Sequence, residues 1–235
     1  MEKMFAHLSA RTLYVLEENL LHLVMFDIDG TLVNSFKFDE ECYLKAAKMV
    51  LGVEISSNWD DYINATDVGI LDEAIDRYKI RGQKYHLHKK FREVFIGLIT
   101  EYIDNNPKSV REIYGAYRFI QYLCKQKNVR VAFASGGLEE TAKLKLKAAE
   151  IDINGCAFAS SSDHHSRTEI MRIAELRASP GATFKSKTYF GDALWDKKAS
   201  KTLGYRFILV GDRIKHENQI TDFKDMESIL AMLNL

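Results

Sequence analysis

Net charge is missing from this chain: 33 lysines and arginines are cancelled by 33 aspartates and glutamates over 235 residues. Without a global positive field, the chain is not expected to gather nucleic acid or an anionic membrane. Cysteine is scarce, with Cys42, Cys124 and Cys156 far apart in sequence and no CxxC pair. That count fits reduced core thiols in a reducing cytoplasm better than a disulfide framework or a zinc site. Long apolar runs are also lacking. Glu17, Glu18 and His22 break up the N-terminal segment before it reaches the roughly 18 residues that span a bilayer, so neither a membrane span nor a secretory signal is expected. Residues 1–20 are read as an N-terminal extension, and no internal repeat or low-complexity tract is visible. What remains is 46% hydrophobic, enough for one α/β core and a smaller accessory domain.

Five short β-rich runs recur, at 21–28, 129–135, 155–161, 187–193 and 205–211, and helical patterns at 138–150, 167–178 and 196–204 separate the later ones. Apolar strands alternating with helices predict a parallel, doubly wound α/β sheet covered on both faces. About a hundred residues divide the first run from the second, and they read as helices at 38–51, 67–80, 84–104 and 111–127. Val, Ile and Thr are sparse there while Glu, Lys, Ala and Leu are common. The fourth of these helices serves as the crossover back to the sheet. An all-helical insertion over 36–108 is therefore expected within a core of 21–35 and 109–235, with the hinge near "DNNPKS" at 104–109.

Ligands of parallel sheets bind beyond the carboxyl ends of the strands. Four such ends carry chemistry here: Asp27 and Asp29 after the first, Ser135-Gly136-Gly137 after the second, "SSDHHSR" after the third, and Asp192 with Asp196 after the fourth. Like-charged carboxylates at the end of a buried strand repel and are costly to desolvate, so a hard cation is implied. Oxygen-only ligation suits Mg2+. One carboxylate can then attack phosphorus while the other moves a proton. Ser135 and the amides of Gly136 and Gly137, before a helix, suit phosphoryl oxygens.

"DIDGTLVNS", "FASGG" and "GDALWD" resemble motifs one, two and four of the haloacid dehalogenase (HAD) superfamily, in its phosphatase branch with an inserted helical cap of the C1 type. Phosphoglycolate phosphatase-like enzymes are the nearest group. The resemblance implies a Rossmann-like core and a Mg2+-dependent phosphomonoester hydrolase of the cytoplasm acting on a small phosphorylated metabolite, with no nucleic acid or membrane partner. It makes Asp27 the nucleophile that forms an aspartyl-phosphate and Asp29 the acid and base. Mg2+ would be held by Asp27, the backbone carbonyl of Asp29, and Asp192, with Asp196 close by. Ser135, Gly136 and Gly137 would bind phosphate.

The third motif departs from the family, which usually has a lysine after the third strand. Arg167 stands at the matching place, and Lys197 is the next substitute. Arg167 is the expected catalytic cation, although its planar fork is not a lysine point charge. Two alternatives stay open: a phosphomutase of the same superfamily, and a weakly catalytic protein that binds a phospholigand or partner. His164 and His165 read as loop residues, the basic stretch 77–92 as a solvated cap helix, and Phe91, Phe95, Tyr117 and Phe119 as core.

Overall fold

A computed structural model describes residues 21–235; the expected N-terminal extension lies outside them. Six strands form one sheet in the order β3-β2-β1-β4-β5-β6, and all five pairings are parallel. They are β1 (His22–Phe26), β2 (Val129–Ala134), β3 (Ala157–Ala159), β4 (Ser186–Gly191), β5 (Arg206–Val210) and β6 (Gln219–Ile220). Eight α-helices accompany them among the described residues: α1 (Phe36–Leu51), α2 (Asp67–Arg77), α3 (Lys84–Asn105), α4 (Ala116–Cys124), α5 (Glu139–Ala148), α6 (Arg167–Ala178), α7 (Leu194–Leu203) and α8 (Met226–Leu233). This is the expected α/β architecture with a helical cap.

β1 is central and all five of its residues are buried. Because strand side chains alternate between faces, Val24 and Phe26 join one apolar cluster and Leu23 and Met25 the other. The first cluster takes Phe119 of α4, Leu146 of α5 and Ile229 of α8. The second takes Ile170 and Met171 of α6 and Ala199 of α7. Phe26 stacks on Phe190 of β4 with ring centroids 4.8 Å apart and meets Phe119 edge-on at 6.2 Å. Each such fully buried side chain contributes roughly 1.5–3 kcal/mol, so the strand that carries the acidic motif is held at its most stable point.

The chain runs outward from β1 through β2 to β3, then returns past β1 to build β4 to β6. The winding direction therefore reverses between β1 and β4, where a crevice opens at the strand ends. Over it sit α1, α2 and α3. Tyr43 packs edge-on against Phe91 and Phe95, Phe38 stacks on Tyr102 at 4.3 Å, and α3 reaches the core through an Arg92–Glu140 ion pair.

Several boundaries differ from expectation, each for a local reason. The helix expected over 111–127 begins only at Ala116, because Gly115 is left-handed at φ 81°. The third strand shrinks to Ala157–Ala159 between a left-handed Gly155 and a turn closed by Ser160 N–H donating to Asp163 Oδ2 at 2.9 Å. β6, α8 and a short 3-10 helix at Trp59–Asp61 join the expected set. The thiols also differ: only Cys42 is buried, whereas Cys124 is exposed and Cys156 half-buried. Cys124 and Cys156 lie 3.8 Å apart at Sγ, so distance along the chain did not mean distance in space.

Candidate active site

The acidic motif leaves β1 at Phe26, and Asp27 is pinned to the neighbouring strand by its N–H donating to the Phe190 carbonyl at 2.9 Å. The chain then turns tightly: the N–H groups of Leu32 and Val33 both donate to the Ile28 carbonyl. Gly30 has φ 76°, and a Cβ there would collide with the Asp192 carboxylate. Glycine is what lets the first and fourth motifs touch.

Asp27, Asp192 and Asp196 bring carboxylate oxygens within 4.8 Å of one another, and all three residues are buried. Burial first, then the Asp196 charge, pushes the Asp27 carboxyl up to about 8 despite the opposing effect of Arg167. Burial likewise raises Asp192 to about 7 and Asp196 to about 6, against the opposing charges of Arg213 and Arg167 respectively. Three buried, oxygen-only donors that resist carrying their charges together fit a hard divalent cation. The Asp29 carboxylate is not in this cluster. It accepts from Ser35 Oγ and from Lys145 Nζ at 2.7 Å.

Arg167 is the first residue of α6 and points into the crevice. Its Nη1 donates to Asp27 Oδ1 at 3.1 Å and to Asp196 Oδ1 at 2.8 Å. Tyr189 reinforces this bridge, donating to the Ala134 carbonyl at 2.9 Å while receiving from Arg167 at 3.3 Å. A Cβ at Gly136 would collide with Arg167, so the glycine of the second motif makes room for the cation of the third. Lys197 is remote in role: its Nζ reaches the Lys215 carbonyl at 3.5 Å on the surface. Ser135 is buried, and its Oγ accepts the Gly137 N–H at 3.0 Å, which bends the loop ahead of α5.

Four residues that sequence reasoning missed complete the site. Arg213 donates to Asp192 Oδ2 at 2.6 Å while its guanidinium lies 3.5 Å above the Phe36 ring. Lys145 on α5 is wholly buried and bonds Asp29 and Asp39, the latter at 2.6 Å. Burial alone would lower the Lys145 ammonium; the two carboxylates more than reverse this and hold it charged. Asp39 is itself raised to about 6 by burial, against the pull of Lys145. Asp67, first residue of α2, accepts the Leu138 N–H at 2.8 Å and donates its own N–H to the Gly136 carbonyl at 2.8 Å. A signal for Lys145 did exist: Leu138, Ala142, Lys145 and Ala149 lie on one helical stripe, and the other three are apolar.

His164 and His165 form a loop turn, with their rings stacked 4.4 Å apart and the His165 carbonyl accepting from Thr66 Oγ1 at 2.6 Å. Within the basic stretch, Lys84 pairs with Asp76 and His88 with Asp72 inside the cap, and Arg92 reaches Glu140 of the core. Phe91, Phe95 and Phe119 are core, while Tyr117 is half-buried.

The haloacid dehalogenase-like hydrolase family model matches residues 24–210, a span that holds all four motifs. The chain belongs to that family. A phosphoglycolate phosphatase of Aquifex aeolicus (strain VF5) is 24% identical over 212 residues, which cover 86% of this chain and 91% of that protein. A hydrolase from Pseudomonas syringae has TM-score 0.69 at 19% identity, covering 89% of this chain and 97% of its own. An archaeal beta-phosphoglucomutase from Pyrococcus sp. strain ST 04 has TM-score 0.53 at 17% identity, covering 91% and 99%. The two structures establish likeness of fold. Among the described residues, no helix of this HAD hydrolase is long and apolar enough to cross a membrane.

Proposed function

We propose that this HAD-family hydrolase is a Mg2+-dependent phosphatase that cleaves small phosphorylated metabolites in a reducing cytoplasm. The observation that carries the reading is the Arg167 bridge from Asp27 to Asp196, because it gives the buried nucleophile its cation where the family has a lysine. Asp27 attacks phosphorus, and the ester P–O bond breaks as the leaving oxygen takes a proton from Asp29. Water then cleaves the aspartyl-phosphate, returning a proton to Asp29 and releasing orthophosphate. Ser135, Gly136 and Gly137 hold the phosphoryl oxygens, and Arg167 offsets their charge.

Asp27, Asp192 and Asp196, with the backbone of Asp29, would hold the Mg2+, which when bound supplies Lewis-acid charge to the transferring group. In this reading residues 36–108 are a lid that excludes water during the first transfer. Bonds between Asp67 and Gly136 and Leu138 seat it on the phosphate loop, and Thr66 donating to the His165 carbonyl seats it on the loop before α6.

Phosphate release from para-nitrophenyl phosphate, with and without Mg2+, tests the proposal. Asp27→Asn should lower the rate by at least about 10³-fold with an unchanged circular dichroism spectrum; retained turnover would refute the nucleophile. A phosphomutase is the second reading, favoured by likeness of fold to the beta-phosphoglucomutase. Isomerised hexose phosphate in place of free phosphate would establish it.

A further inference from the structure

We propose that the alcohol half of the substrate is cationic: the ester is a short aminoalkyl phosphate whose ammonium group docks on Glu40. The proposal rests on the phosphatase reading and names the substrate class of that same site. The cavity has a phosphoryl end at Asp27, Gly136 and Arg167, and a cap end that receives the leaving group. To that end the cap contributes Asp39, Glu40 and Asp67 and no lysine, arginine or histidine.

Two of the three acids are already satisfied, Asp39 by Lys145 and Asp67 by the Leu138 N–H. Glu40 has no cationic partner among the described residues; it is held only by Trp59 Nε1–H donating to Oε2 at 2.7 Å, which leaves Oε1 for a ligand. Trp59 and Tyr43 also line this end, their rings edge-on with centroids 5.7 Å apart. Aromatic rings beside a carboxylate that has no cationic partner are surroundings that suit an alkylammonium.

Charge decides between leaving groups. A carboxylate would meet three acids and, among the described residues, no free cation; an alcohol hydroxyl would give Glu40 a hydrogen bond but no opposite charge. An ammonium answers both problems. A cavity of about 80 Å3 has room for roughly five to eight water-sized groups, which favours a short ester such as that of a two-carbon amino alcohol. Hydrolysis breaks the ester P–O bond and adds one water, giving orthophosphate and the free amino alcohol.

The test compares kcat/KM for 2-aminoethyl phosphate, glycerol 3-phosphate and 2-phosphoglycolate, with para-nitrophenyl phosphate reporting the phosphatase reading separately. The cationic ester is expected to lead the anionic one by about tenfold or more, and Glu40→Gln should lower the ratio of cationic to neutral ester about tenfold. Equal or reversed preference, or an unchanged ratio in the variant, overturns the proposal while aryl phosphate turnover keeps the hydrolase intact. Should no ester turn over, calorimetric affinities of the Asp27→Asn protein for the same three compounds decide it. Tightest binding of 2-aminoethyl phosphate upholds the charge assignment and sinks only the hydrolase; any other order sinks the assignment.

Discussion

The two walls of the cavity hold their carboxylates in different ways. On the core wall, Asp27 and Asp192 follow adjacent parallel strands and Asp196 lies in the first turn of α7, and guanidinium groups hold them, Arg167 for Asp27 and Asp196 and Arg213 for Asp192. On the cap wall, Asp39 shares an ammonium from the core helix α5, Asp67 takes a backbone amide, and Glu40 has only the Trp59 indole N–H. The core wall is preorganised around fixed charge. On the cap wall Asp39 and Asp67 borrow their partners from the core, so their arrangement holds only while the cap is seated.

The largest effect that would break this contrast is expected at Arg167. Arg167→Ala leaves Asp27 and Asp196 buried without their shared cation, and kcat should fall by roughly 10²–10³-fold in the aryl phosphate assay. An unchanged rate would move the compensating role elsewhere.

Next is Lys145, the one wholly buried ammonium among the described residues, which joins the walls. Lys145→Met removes the cation between Asp29 and Asp39 and should destabilise the fold by about 3–5 kcal/mol, measured by urea unfolding. A loss below about 1 kcal/mol would mean the two carboxylates find water instead.

A third prediction sets the core wall against solvent. Asp27, Asp192 and Asp196 have folded carboxyl values of about 8, 7 and 6, all above the ordinary value near 3.8. The folded state therefore binds more protons than the unfolded chain between pH 4 and 8. Without divalent cation, the contribution of these groups to stability should be greatest below about pH 4 and should fall as pH rises from there towards 8. Thermal unfolding with and without Mg2+ checks this: added Mg2+ should flatten the slope. The smallest effect is expected at Lys197, whose side chain meets only the Lys215 carbonyl. Lys197→Ala should shift stability by less than about 0.5 kcal/mol, and a larger change would give that lysine a role in the core wall.

Legibility followed the same divide. Motifs one, two and four sit directly after strands whose apolar runs are visible as such, so the convergence of Asp27, Ser135 and Asp192 follows from parallel topology alone. Arg167 was readable from its place at the start of the helix after the third strand. Arg213 was not, because it follows the last long strand in a stretch with no motif and reaches Asp192 across the crevice. Asp39 and Glu40 look like ordinary surface acids of an amphipathic helix until α1 is laid over the core.

The sequence by itself determined the parallel sheet, the helical insertion and the acidic crevice at the switch between β1 and β4, because strand periodicity and short-range motif spacing are local properties. Only the tertiary structure decided which cation meets which carboxylate. Lys145 and Asp39 are 106 residues apart and Arg167 and Asp27 are 140 apart; the second pairing is made where the sheet brings strand and helix ends together and the first where the cap packs on the core, which no local pattern encodes.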